Sequence, residues 1–172
     1  MHLYRKLIPK IARETVRSLN SGGHILVDDG NLDEAELDLA GVMVEYCNQE
    51  DRINNEAKEA IARRGLPQER FSQVKKGLSD ARGFKLGEDG IEYVINQMIE
   101  ALFNSKNVTE VFAEDTTLRK MIHELFIKHL TVDVDLDRQA RDRLKNLREG
   151  TQEWDIEYER TVTQLKKQKG LL

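Results

Sequence analysis

A chain of 172 residues with 34% charged and 6% aromatic side chains, two prolines and a net charge of −4 suits long solvated helices better than a sandwich or barrel. Its mild acidity points neither to a dedicated nucleic-acid binder nor to an acidic tail, and a lone Cys47 excludes an internal disulfide and fits a reducing cytoplasm. Arg5, Lys6, Lys10, Arg13 and Arg17 interrupt the apolar residues of 1–20, so no signal peptide is expected there, and no later run is apolar for long enough to span a bilayer.

Leu7, Ile8, Ile11, Ala12, Val16 and Leu19 recur at helical spacing, with Pro9 in the opening turn, where its missing N–H is harmless. Ser21-Gly22-Gly23 should stop this helix. His24 to Val27 is a short extended stretch, and a second helix begins near Asn31 or Asp33. Glu34, Glu36 and Asp38 suit the positive end of its dipole, and Leu39, Val42, Met43 and Tyr46 form its buried stripe. The stripe continues through Ile53, Ala57, Ala60 and Ile61 with no breaker before Gly65. One rod of roughly 45–50 Å is therefore predicted. Gly65-Leu66-Pro67 turns the chain, and Phe71, Val74, Leu78 and Ala81 mark a returning helix.

The plan then repeats. Asp89 is the expected cap of a helix bearing Ile91, Val94, Ile95, Met98, Ile99 and Leu102. Val108 to Phe112 matches the extended stretch, and Thr116 or Thr117 should cap a helix with Leu118, Met121, Ile122, Leu125 and Phe126 inward. Leu136, Ala140, Leu144 and Leu147 lead out, Glu149-Gly150-Thr151 turns, and Trp154, Tyr158, Val162 and Leu165 lead back. Thr131 to Asp135 brings together β-branched and aspartate residues, poor helix formers that predict a hinge.

An offset of 83 positions superimposes these patterns without a gap: Ile8 falls on Ile91, Ile11 on Val94, Leu39 on Ile122, Ile53 on Leu136, Ala57 on Ala140 and Phe71 on Trp154. Such self-similarity predicts an all-α, internally duplicated fold with halves 1–83 and 84–172 in one structural unit. The apolar-rich segments 1–48 and 84–130 supply the base, a pseudo-twofold four-helix bundle. The apolar-poor segments 49–83 and 131–172 supply two protruding helical-hairpin arms, giving a Y shape. Each base segment carries five cationic and eight acidic residues, whereas 49–83 carries eight and six.

Leu3-Tyr4-Arg5, Ile8-Pro9, the acidic run Leu32 to Leu39, Glu45-Tyr46 and Arg52-Ile53-Asn54-Asn55-Glu56-Ala57 resemble the bacterial domain-of-unknown-function 507 family over essentially the whole chain. The resemblance implies a helical, Y-shaped, internally pseudo-symmetric fold. It implies no activity and brings no catalytic or binding residue with it.

Candidate sites are few. Asp133, Asp135 and Asp137 are spaced like the start of a calcium loop, but Arg138 and Leu144 stand where glycine and a bidentate glutamate are needed. Cys47, His123 and His129 could approach one another, yet zinc needs a fourth ligand; a small buried thiol and ordinary surface or rim histidines are expected. Helix-start electrostatics accounts for the acidic run from Asp28 to Asp38. Partner contacts are expected at the arm tips, where Arg63, Arg64, Leu66, Pro67 and Arg70 surround one turn and Leu147, Arg148 and Trp154 the other, since arginine and tryptophan are typical interface anchors.

These features predict a non-enzymatic adaptor that presents its arms to a protein partner, with no cofactor and no metal. Nucleic-acid or ribosome association through the tips is the alternative. Duplication within one chain favours a monomer, expected in the cytoplasm.

Overall fold

The computed structural model describes residues 2–149 and 151–171, without the side chains of Asp133 and Val134. It is mostly helical, with one two-stranded ribbon. Helix α1 spans Ile8–Ser21, strand β1 Ile25–Leu26 and helix α2 Leu32–Arg64. Helices α3 (Phe71–Ala81) and α4 (Gly87–Asn104) follow, then β2 (Glu110–Val111) and α5 (Asp115–Leu130). Helices α6 (Val132–Arg143) and α7 (Gln152–Gln168) complete the chain.

Each of α1, α2, α4 and α5 carries one apolar stripe, and the four close a ring: α1 packs on α2 and α5, and α4 packs on the same two. Their stripes form one core that includes Ile11, Leu39, Met43, Val94, Met98, Ile122 and Phe126. The ribbon pairs β1 with β2 antiparallel, Ile25 opposite Val111 and Leu26 opposite Glu110. It ties the first half directly to the second.

Element ends repeat at the predicted offset. The last residues of α1 and α4, Ser21 and Asn104, lie 83 positions apart, as do the first residues of α2 and α5, Leu32 and Asp115. Burial repeats as well. Ile8 and Ile91, Leu19 and Leu102, Met43 and Phe126, Ile53 and Leu136, Ala57 and Ala140, and Ile61 and Leu144 are all buried.

The rod expected from Leu32 is present as the single helix α2, about 50 Å long at 1.5 Å per residue. It ends where Gly65 takes φ 60°, a left-handed conformation that side chains resist. The Gly65 N–H donates to the Ala62 carbonyl and the Leu66 N–H to that of Ile61, which satisfies the last turn. Helix α3 returns against the outer part of α2, and α7 returns against α6. The accessible surface is 10626 Å², above the about 8,700 Å² that a globular monomer of this mass exposes.

Three sequence expectations need correcting. Asp89 lies in the first turn of α4, entered from extended Leu86, and Thr116 and Thr117 lie inside α5, entered from extended Glu114. The chain arrives straight at both helices, so each begins slightly earlier than its apparent capping residue. Ala81, the last residue of α3, is exposed, because buried Ser79 and half-buried Leu78 take the inward face of that turn. Helix α6 stops at Arg143, so Leu147 belongs to the turn; Gly150 lies outside the described residues.

The hinge segment coincides with a real break. Helix α5 ends at Leu130, and Thr131 separates it from α6, whereas α2 runs unbroken through the matching residues 48–52. Amide exchange should therefore be faster around Thr131 than around Asn48. Equal protection of the two segments by hydrogen-exchange mass spectrometry would contradict this.

Candidate functional site: the hairpin ends

At the outer end of the first hairpin, α2 delivers Arg63 and Arg64 to its last turn, and Pro67 and a short 3-10 turn at Gln68–Arg70 lead into α3. All three arginines and Pro67 are exposed, and Leu66 is half-buried. Arg70 donates to the Gln73 amide oxygen at 2.8 Å. Among the described residues none of the three forms an ion pair with a carboxylate. Five of the expected tip residues are therefore together on one turn, with three cationic side chains against one carboxylate, Glu69, around a small apolar centre.

The second end is built differently. Leu147 is half-buried, with its N–H on the Leu144 carbonyl at 2.8 Å, and Arg148 is exposed. The Thr151 hydroxyl accepts from the Trp154 N–H at 3.3 Å and caps α7. Trp154 is only 9% exposed. Its ring stacks on Tyr158 at 4.8 Å, and the Arg141 guanidinium lies 5.5 Å above it. Arg141 is held in turn by Asp137 and Glu149. The Tyr158 hydroxyl donates to Asp137 and, with Arg141, holds that carboxyl below its usual range. The indole thus closes the hairpin from inside.

Other sequence candidates have separate partners. The buried Cys47 thiol donates to the Leu3 carbonyl at 3.7 Å, and burial pushes its pKa up to about 11. His129, expected at the surface or rim, is buried, with Nε2 2.9 Å from Glu14 Oε2. Contact between α1 and α5 encloses it, and hydrogen bonds from His129 and Lys128 hold the Glu14 carboxyl below its usual range. His123 faces Glu92 at 3.4 Å. Asp135 pairs with Arg138. Among the described residues, no three His, Cys, Asp or Glu side chains gather in a metal-holding group.

The acidic run is more than helix-start electrostatics. Asp33 and Glu34 do lie in the first turn of α2. Glu36, however, is buried between Arg17 at 2.7 Å and Arg13 at 3.4 Å, and so fastens α1 to α2. Asp38 accepts from the Ser105 hydroxyl and from the Asn107 amide at 2.9 Å. No sequence pattern signals such distant partners.

Sequence reasoning also passed over the junction of the first hairpin with the core. There Tyr46 stacks on Phe84 at 5.0 Å and donates to the Lys85 carbonyl at 3.0 Å, while Arg82 pairs with Glu56. A departure from the repeat marks the place in the sequence: Arg82 stands where the second half has Leu165.

Over residues 1–171 the chain matches a family described as protein of unknown function (DUF507). The chain belongs to this family. The DUF507 match extends over all seven helices. No curated protein matches the chain, and among the described residues no helix is long and apolar enough to cross a membrane.

Proposed function

We propose that the chain is a non-enzymatic interaction module: a pseudo-twofold four-helix base from which two hairpin arms project in a Y and engage a partner protein. Several observations support the shape. The 83-residue offset recurs in helix ends and in burial. The antiparallel ribbon joins the two halves directly. The large accessible surface and the packing of α3 and α7 on their own hairpin partners fit projecting arms.

The observation that carries the functional reading is the outer turn of the first arm. Arg63, Arg64 and Arg70 stand exposed around Leu66 and Pro67, outnumbering the turn's single carboxylate, Glu69, and forming no ion pair among the described residues, on a chain whose net charge is −4. Arginines around an apolar centre suit an acidic partner surface. Exposed Arg148 offers a weaker second contact on the hairpin end that Trp154 closes from within. The internal duplication supplies the pairing that a homodimer would otherwise give, so the module acts as a monomer in the cytoplasm.

Reversing the three charges (Arg63→Glu, Arg64→Glu and Arg70→Glu) should abolish capture of the proteins that the unaltered chain retains from cell extract, with the fold intact by circular dichroism. Recovery of the same proteins by the triple variant would overturn the reading. Retention of RNA or DNA in a low-salt filter assay, lost in the triple variant, would instead make nucleic acid the partner.

A further inference from the structure

Beside the root of the first hairpin lies a cavity of about 340 Å³, a size that suits a small ligand. Gln49, Ile53, Arg82 and Gly83 line it, and at the 83-residue offset they correspond to Val132, Leu136, Leu165 and Lys166. In the second half these four residues surround an aromatic ring. Tyr4 is buried with Leu136 and Leu165, Val132 packs against the same cluster, and the Lys166 ammonium lies 5.4 Å from the ring centroid. The second half therefore fills with the chain's own phenol ring the place that the first half leaves open.

The open site also differs in charge. Arg52, Arg82 and Lys85 line it, and no carboxylate does. Arg82 is paired with Glu56, whereas the Arg52 and Lys85 side chains form no ion pair among the described residues. Phe84 and Tyr93 complete the lining, and Tyr93 is 40% exposed. Where the second half has Leu165 against the ring, the first half has an arginine.

We propose that this cavity binds a small aromatic anion: a planar ring takes the position that Tyr4 takes in the other half, and its carboxylate or phosphate meets Arg52, Arg82 and Lys85. Ring contacts would come from Ile53, Phe84 and Tyr93. The guanidinium groups offer forked donors that match either anion. This site is independent of the hairpin ends, so neither reading stands or falls with the other.

The test is saturation-transfer NMR titration of the full chain with 4-hydroxyphenylacetate and with phenyl phosphate, which separate a carboxylate from a phosphate ligand. Acetate, inorganic phosphate and phenol serve as probes that lack the ring or the charge. Saturable binding is expected for at least one ring-bearing anion, and weaker or no binding for the three fragments. Arg52→Ala with Lys85→Ala should weaken that binding about tenfold or more through the loss of charge-assisted contacts. Gln49→Trp, which fills the cavity from α2, should abolish it. Three results would overturn the proposal: neither ring-bearing anion binds at millimolar concentration, the fragments bind equally well, or the Arg52/Lys85 variant binds undiminished. That variant alters only exposed side chains that form no ion pair among the described residues, so it decides the matter even if Gln49→Trp fails to fold.

Discussion

Replacing Tyr4 by alanine is expected to loosen the second hairpin while the four core helices stay folded. Tyr4 is 4% exposed and shares a cluster with Leu136, Ala140, Leu165 and Leu171 that is separate from the main core. Its neighbours lead elsewhere. Leu3 belongs to the main core, and Arg5 bonds to Asn48 at 2.9 Å and to Asp51 at 2.6 Å on α2. Three consecutive residues thus fasten the core, the second hairpin and the root of the first. Loss of a buried aromatic ring costs about 3 kcal/mol or more. Because few other contacts hold α6 and α7 to the core, that cost should appear there as local opening. Amide exchange in α6 and α7 should rise about a hundredfold, with α4 and α5 unchanged. A uniform rise along the whole chain would mean that the hairpin does not open as a separate unit.

Phe126→Ala should have the larger global effect. Phe126 has no accessible surface and lies in the C-terminal half of α5, at the position equivalent to Met43 in the first half. Truncation leaves a cavity in a close-packed interior and should cost about 3–5 kcal/mol. For a chain of this length that corresponds to a fall of roughly 10 °C in Tm. Met43→Ala should cost about 2–5 kcal/mol for the same reason. Phe103→Ala and Phe112→Ala remove rings that are each 56% exposed, and each should change stability by about 0.5 kcal/mol or less. Thermal and urea unfolding of the four variants checks this ordering, and a Phe126 variant as stable as the Phe103 variant would refute the shared core.

The helices were legible in the sequence wherever they obey periodicity and chain chemistry. Apolar residues from Leu39 to Ile61 kept one stripe, and Gly65 ended it, so α2 could be read almost to the residue. Thr131 to Asp135 broke the pattern, and the helix breaks there. The caps were misread because Asp89 and Thr116 look like helix starts, while Leu86 and Glu114 hold the extended conformation from which each helix is entered. The acidic run was only half legible: the positions of Asp33 and Glu34 follow from the helix start, but the partners of Glu36 and Asp38 come from distant segments. His129 reads as a surface or rim residue because its burial comes from α1, which carries Glu14 far away in the chain. At the hairpin ends, the exposed arginines were visible from the turn chemistry. The inward position of Trp154 was visible only as its alignment with Phe71.

Small-angle X-ray scattering of the chain in dilute solution tests the projecting-arm monomer most directly. A compact chain of 172 residues has a radius of gyration of about 16 Å. Projecting hairpins predict a monomer mass, a radius clearly above that value and a distance distribution with a long tail. A radius at the compact limit, or the mass of a dimer, would contradict the account.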